Sequence, residues 1–69
     1  LGAFDMNLMA QGKPVKLILR NSAGNILMED SIKDQVSITK RFNLDKLDEG
    51  EYSLEVDIEG HLFSKTFKK

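Results

Sequence analysis

The sequence predicts an all-β protein, a small sandwich of about six to seven antiparallel strands. Apolar side chains recur at every second position in several segments, whereas helical spacing is weak throughout. Short breaks rich in Gly, Asn and Asp separate those segments, as turns do between strands. The 69 residues suffice for a single domain, residues 1–69, whose core is thin because such a chain buries only roughly 60% of its unfolded surface.

The first half of the chain contains three predicted strands. Apolar residues alternate over 4–8, and a break at 11–14 that includes a proline ends this segment. A second alternation covers 15–20, and the turn at 21–25 contains a glycine that tolerates a positive φ. The segment 26–32 then completes a predicted hairpin.

The fourth strand is predicted from the longest alternation in the chain, residues 36–44. One face of this strand is apolar except at Lys40. An unpaired ammonium group is costly to bury, so we expect Lys40 to lie near a sheet edge with its charged end reaching solvent.

A corner between the two sheets is predicted at residues 44–56. A polar turn containing Gly50 leads into a fifth strand that begins with Tyr52 and alternates as far as Ile58. A buried tyrosine hydroxyl needs a polar partner, so we expect it to bond to the main chain within residues 45–49. Tyr52 and Gly50 form a structural corner in this interpretation and carry no chemistry.

The last two strands are predicted to form a hairpin closed by a two-residue turn. The loop is either Glu59-Gly60 or Gly60-His61. Both registers keep Phe63 and Phe67 on the apolar face of the fifth strand, because a two-residue loop preserves parity. The inward-facing positions of the second, fourth, fifth and last strands together predict the buried residues. They are Leu17, Leu19, Ile38, Phe42, Tyr52, Leu54, Val56, Phe63 and Phe67.

Composition and charge exclude several functional classes. The chain is 41% hydrophobic and 30% charged, which is typical of a folded soluble domain. Its net charge of −1 and its inward-phased aromatics argue against nucleic acid as a partner. No run approaches the roughly 18 apolar residues of a membrane span. Cysteine is absent, so there is no disulfide and no cysteine-ligated zinc.

The carboxylates and the single histidine form no recognisable catalytic group. His61 lies on a predicted hairpin tip, and Glu55 and Asp57 share an open strand face without a pocket. We therefore predict no enzymatic activity, no cofactor and no metal site. The acidic segment 45–59 is expected to pair with the lysines of the last strand. Binding of a cation or a basic partner by this acidic face remains an alternative.

A possible interaction patch is predicted from Ile18 and Leu27. Both are apolar and both fall on the phase turned away from the main apolar face. Exposed apolar side chains that cluster usually mark a contact surface. We therefore expect a protein partner or self-association, through this patch or through a strand edge.

Four segments together resemble two related groups of bacterial export modules. They are residues 15–27, Phe42-Asn43-Leu44 with Leu47, Glu49-Gly50-Glu51-Tyr52-Ser53-Leu54-Glu55-Val56, and residues 63–69. One group is the small secreted immunoglobulin-like β-sandwich proteins of unknown function, and the fold that this resemblance implies is an immunoglobulin-like or fibronectin-like sandwich. The other is the C-terminal sorting domain of type IX secretion cargo. The Asn-Pro-rich entry usual in sorting domains is missing here.

The resemblance implies an exported protein, whether secreted, periplasmic or at the cell surface. Because the sequence starts at Leu1 without Met, we expect a signal, a tag scar or another domain to precede it. Two functions follow as expectations. The first is a non-enzymatic module with a structural or protein-interaction role. The alternative is a C-terminal sorting domain, attached to a larger cargo and read by an export machinery.

Overall fold

The computed structural model describes residues 2–69, which form six antiparallel strands and no helix. The fold class predicted from the sequence is confirmed: the strands form two sheets packed together as a small β-sandwich. The strands are β1 (Ala3–Met9), β2 (Val15–Asn21), β3 (Ile26–Ile32), β4 (Ser37–Asn43), β5 (Glu51–Ile58) and β6 (His61–Lys68).

The two sheets are unequal in size. The smaller sheet contains only β1 and β4, and the larger sheet has the order β3-β2-β5-β6. Two of the pairings, β1 with β4 and β2 with β5, join strands that are not consecutive in sequence. These long-range pairings bring the apolar faces of both sheets together over one core. Its buried members are Met6, Ala10, Val15, Leu17, Ile38, Phe42, Leu44 and Leu54.

The hairpin between β5 and β6 resolves the register that the sequence left open. The loop is Glu59-Gly60, with φ values of 49° and 85°, and Ile58 pairs with His61. Positive φ at both loop positions is the geometry of the tight turn that matches strand twist. Val56 then pairs with Phe63, so β6 has the predicted phase.

The hairpin between β2 and β3 turns where predicted. The Asn21 side-chain oxygen accepts hydrogen bonds from the backbone N–H groups of Ala23 and Asn25, and Gly24 has a φ of 85°. A register shift next to Arg20 interrupts the pairing. Such a bulge locally increases twist and leaves one residue of the facing strand unpaired.

The Tyr52 hydroxyl donates a hydrogen bond to the backbone carbonyl of Asp48, within the segment for which the sequence predicts it. Lys40 lies on β4, an edge strand, and its Nζ is 2.5 Å from Oδ2 of Asp30 on β3. The expectation that this lysine lies at an edge and stays partly hydrated is therefore confirmed. The structure also shows that Lys40 forms an ion pair with the other sheet, which the sequence did not predict.

The predicted buried set is right for six of its nine members and wrong for Phe63. Leu17, Leu19, Ile38, Phe42, Tyr52 and Leu54 are buried, while Val56 and Phe67 are only partly buried. Phe63 is 59% exposed although it has the inward phase. The two-stranded sheet does not cover Phe63, because β6 is the outermost strand of a four-stranded sheet that faces only two strands.

Candidate functional site

One lateral side of the sandwich is open, and it lies between β1 and β6. Each of these strands is the last of its sheet, so within residues 2–69 their outer edges pair with no other strand. The rings of Phe4 on β1 and Phe67 on β6 stack with centroids 4.5 Å apart. That contact joins β1 to β6 at one end of the open side.

A groove of about 250 Å³ follows this open side beyond the stacked rings. Its floor is apolar, and Phe63 is the large exposed side chain in it. Exposed aromatic surface beside unpaired strand edges is unusual in a small soluble domain, because edges of this kind are normally blunted or covered. The lining residues are Phe4, Asp5, Met6, Asn7, Leu54, Val56, Phe63, Ser64 and Lys65.

Main-chain hydrogen bonds show which backbone groups of β1 face the groove. At one end of the strand the N–H of Leu44 donates to the carbonyl of Gly2, and at the other the N–H of Ala10 donates to the carbonyl of Val36. Hydrogen-bonded pairs alternate along an antiparallel ladder, so the even-numbered residues of β1 bond to β4. The N–H and C=O groups of Asp5 and Asn7 therefore point to the free edge, where a further strand would bond.

The free edge of β6 is defined in the same way. The N–H of Lys69 donates to the carbonyl of Gly50, and Ile58 pairs with His61 beside the turn. The odd-numbered residues of β6 therefore bond to β5. The backbone groups of Leu62, Ser64 and Thr66 point away from the sheet, so both borders of the groove offer unused main-chain donors and acceptors.

The charges at the groove leave one cation unneutralised. Arg41 donates two hydrogen bonds to the Asp5 carboxylate, at 2.7 Å and 3.0 Å, and this pairing holds the pKa of Asp5 below its ordinary value. Lys65, by contrast, has no carboxylate within 4.0 Å among the residues the structure describes. It has the same strand phase as Phe63, so its ammonium group belongs to the groove side of β6.

The opposite lateral side of the sandwich, between β4 and β3, is closed by the Lys40–Asp30 ion pair. The Asp30 carboxylate accepts a hydrogen bond from Lys40, and this bond together with the positive charge lowers the pKa of Asp30. Partly buried Met28 and Ile32 on β3 pack against the core on this side. The two lateral sides therefore differ: an ion pair bridges one, whereas the other is bridged at one end by the Phe4–Phe67 contact and is open beyond it.

The predicted patch residues Ile18 and Leu27 both lie on the larger sheet. Ile18 is half-buried and pairs with Glu29 on one side and Glu55 on the other. Leu27 is 42% exposed and sits at the bulge, where it has no cross-strand partner. The register of β2 and β3 does not pair Ile18 with Leu27, and their role as an interaction patch stays a prediction.

The acidic face of β5 is partly neutralised by neighbouring strands. Glu55 lies 2.9 Å from Arg20 on β2, and Glu51 lies 3.6 Å from Lys68 on β6. In the described range 2–69, no three His, Cys, Asp or Glu side chains converge as metal ligands would. The same range contains no helix long and apolar enough to cross a membrane.

Comparison with known proteins gives no relative for this chain. No protein-family model matches it, and neither a curated protein nor a solved structure does.

Sequence reasoning missed the groove, although two of its signals are present in the sequence. Lys65 stands between Phe63 and Phe67 on an otherwise apolar phase, which marks an incompletely covered face. The alternation of the first strand also predicts its inward residues correctly. That these two strands border the same opening depends on the sheet order, which no local pattern encodes.

Proposed function

We propose that this protein is a non-enzymatic β-sandwich module that binds a protein partner by accepting an extended strand of that partner at its open side. The observation that supports this function best is Phe63. It is 59% exposed, yet it lies on the core phase of β6 between two unpaired strand edges. Self-association through the same edge belongs to the same proposal.

Strand addition would satisfy both the backbone and the apolar floor of the groove. The outward main-chain groups of Asp5 and Asn7 would bond to the incoming strand, and alternate side chains of that strand would cover Phe63. Burial of the exposed part of one phenylalanine is worth on the order of 1 kcal/mol. Main-chain pairing over several residues supplies the remainder of the binding free energy and gives little sequence selectivity.

Export to the periplasm, the cell surface or the medium is part of the proposal. Its support is the resemblance of four sequence segments to small secreted immunoglobulin-like bacterial proteins. The binding of a strand at an open edge is also a role that needs neither a catalytic group nor a cofactor.

A sorting domain of type IX secretion cargo is the second candidate, and the accessibility of β6 favours it. This strand is an edge strand and carries Lys65 and Lys68, with Lys69 directly after it. A fluorescent protein fused ahead of residues 1–69 would test it in a bacterium with that secretion system. Secretion of the fusion, and its loss when the three lysines become glutamines, would support sorting. Retention of the unmodified fusion in the cells would contradict it.

The strand-binding function is tested with a displayed library of extended nine-residue peptides selected against the protein. Two proline variants provide matched specificity controls. Asn7→Pro removes an N–H from the free edge of β1, and Thr39→Pro does the same at the free edge of β4, directly opposite in register. The two side chains also hydrogen-bond to each other, so both variants lose the same 3.1 Å contact.

Peptides that bind the native protein and Thr39→Pro but lose at least roughly tenfold in affinity for Asn7→Pro support strand addition at the open side. Enrichment of no peptide, or binding that both variants retain equally, contradicts it. Circular dichroism of the two variants checks that each remains folded.

A further inference from the structure

We infer that the strand accepted at the open side pairs with β1 and carries an apolar residue followed, two positions later, by an acidic residue, with both side chains turned into the groove. This inference rests on the proposed strand-binding function. It names the pairing edge, the strand direction and the chemistry that selects the partner, with Lys65 as the specificity-determining residue.

The position of Phe63 selects β1 as the pairing edge. A strand that bonds to β1 extends the smaller sheet and lies about 10 Å above the larger one, which is the spacing of packed sheets. It therefore covers the outermost strand of the larger sheet, where Phe63 is exposed. A strand that bonds to β6 would extend the larger sheet instead and would leave this ring uncovered.

We infer that the incoming strand runs antiparallel to β1, as every strand pair within residues 2–69 does. Its direction relative to β6 then follows from the relation of β1 to β6. Phe4 of β1 stacks on Phe67, whereas the later β1 residue Asn7 shares the groove with Phe63, so the two strands run in opposite directions. A strand antiparallel to β1 is therefore parallel to β6. Its side chains meet Phe63 first and Lys65 next, because alternate residues on a strand lie roughly 6.6 Å apart.

The charge of Lys65 determines the second of these side chains. Lys65 has no carboxylate partner within 4.0 Å in residues 2–69, while Asp5 at the other border is already paired with Arg41. A carboxylate in the incoming strand gains an opposite charge, and a lysine there meets a like charge. The closed lateral side uses the same chemistry, since Asp30 and Lys40 bridge the two sheets there.

Three capped synthetic heptapeptides test the inference by titration into ¹⁵N-labelled protein of residues 1–69. The first is Thr-Val-Thr-Val-Thr-Asp-Thr. The second has Lys in place of Asp, and the third, Thr-Asp-Thr-Val-Thr-Val-Thr, reverses the order with the composition unchanged. The backbone amide signals of Asp5, Asn7 and Ser64 report which edge the peptide occupies.

We expect the first peptide to shift the amides of Asp5 and Asn7 and to bind roughly fivefold or more tightly than the other two. Lys65→Glu should reverse the preference between the acidic and lysine peptides. Lys46→Glu makes the same charge change in an exposed loop between β4 and β5 and should leave the preference as it is.

Equal affinity for the acidic and lysine peptides overturns the charge selection, and larger shifts at Ser64 than at Asn7 overturn the choice of edge. Either result leaves the proposed function standing, because a strand still binds. Absence of any shift at millimolar peptide also overturns the inference. The proposed function itself then fails only if the library selection yields no peptide that depends on the β1 edge.

Discussion

Replacement of two phenylalanines that share the inward strand phase should have very different effects on stability. Phe42 on β4 is 7% exposed, whereas Phe63 on β6 is 59% exposed. The alternation of the sequence predicts that both side chains are buried. Phe42→Ala should cost about 3–4 kcal/mol, because it removes a nearly complete ring burial and leaves a cavity in the core.

Phe63→Ala should cost about 1 kcal/mol or less. Only about two fifths of the side chain is removed from water, since 59% remains exposed. Full burial of such a side chain is worth roughly 1.5–3 kcal/mol, and the fraction lost here is correspondingly small. No closed cavity forms, because the ring borders a groove that is already open to solvent.

Urea denaturation followed by far-ultraviolet circular dichroism measures both variants. A 69-residue domain has a free energy of unfolding of roughly 3–10 kcal/mol and a urea dependence near 1 kcal/mol per molar. The midpoint should therefore fall by at most about 1 M for Phe63→Ala, while Phe42→Ala should lose most or all of its folded baseline. Equal losses for the two variants would refute the reasoning, since they would mean that Phe63 is covered in the isolated protein.

Three further outcomes are expected. Tyr52→Phe should lose roughly 1 kcal/mol of unfolding free energy in urea, with the fold unchanged, because the hydroxyl bonds to a main-chain carbonyl four residues upstream; an unchanged midpoint would argue against this. Asp30→Asn should make the melting temperature depend less on pH in the acid range. Pairing with Lys40 lowers the pKa of Asp30 in the folded state, so its stabilisation is fully present above the unfolded pKa and is lost as the pH falls through the lower folded pKa; parallel acid profiles of the two proteins would contradict it. Ile18→Lys combined with Leu27→Glu should abolish any self-association in sedimentation while the melting temperature stays near that of the native protein, and a large fall in that temperature would show that these side chains are core.

Much of the local structure is predictable from the sequence because strands and turns depend on neighbouring residues. Alternation locates the segments that become strands, and Gly24 and Gly60 mark turns at which the backbone has positive φ. The partner of Tyr52 is predictable as well, since its hydroxyl reaches back only four residues. Val36 shows the limit: it continues an apolar alternation, yet it precedes β4 and is 68% exposed.

The sequence by itself determines which segments become strands, the face that they turn inward, and the parity of the last hairpin, because these properties follow from side-chain alternation and turn chemistry. The tertiary structure alone decides that β1 pairs with β4 and β2 with β5, which gives sheets of two and four strands. Those pairings depend on contacts between residues far apart in the chain. Because one sheet has two strands and the other has four, Phe63 is left exposed beside Lys65. The candidate binding groove is therefore formed only when the two sheets pack together.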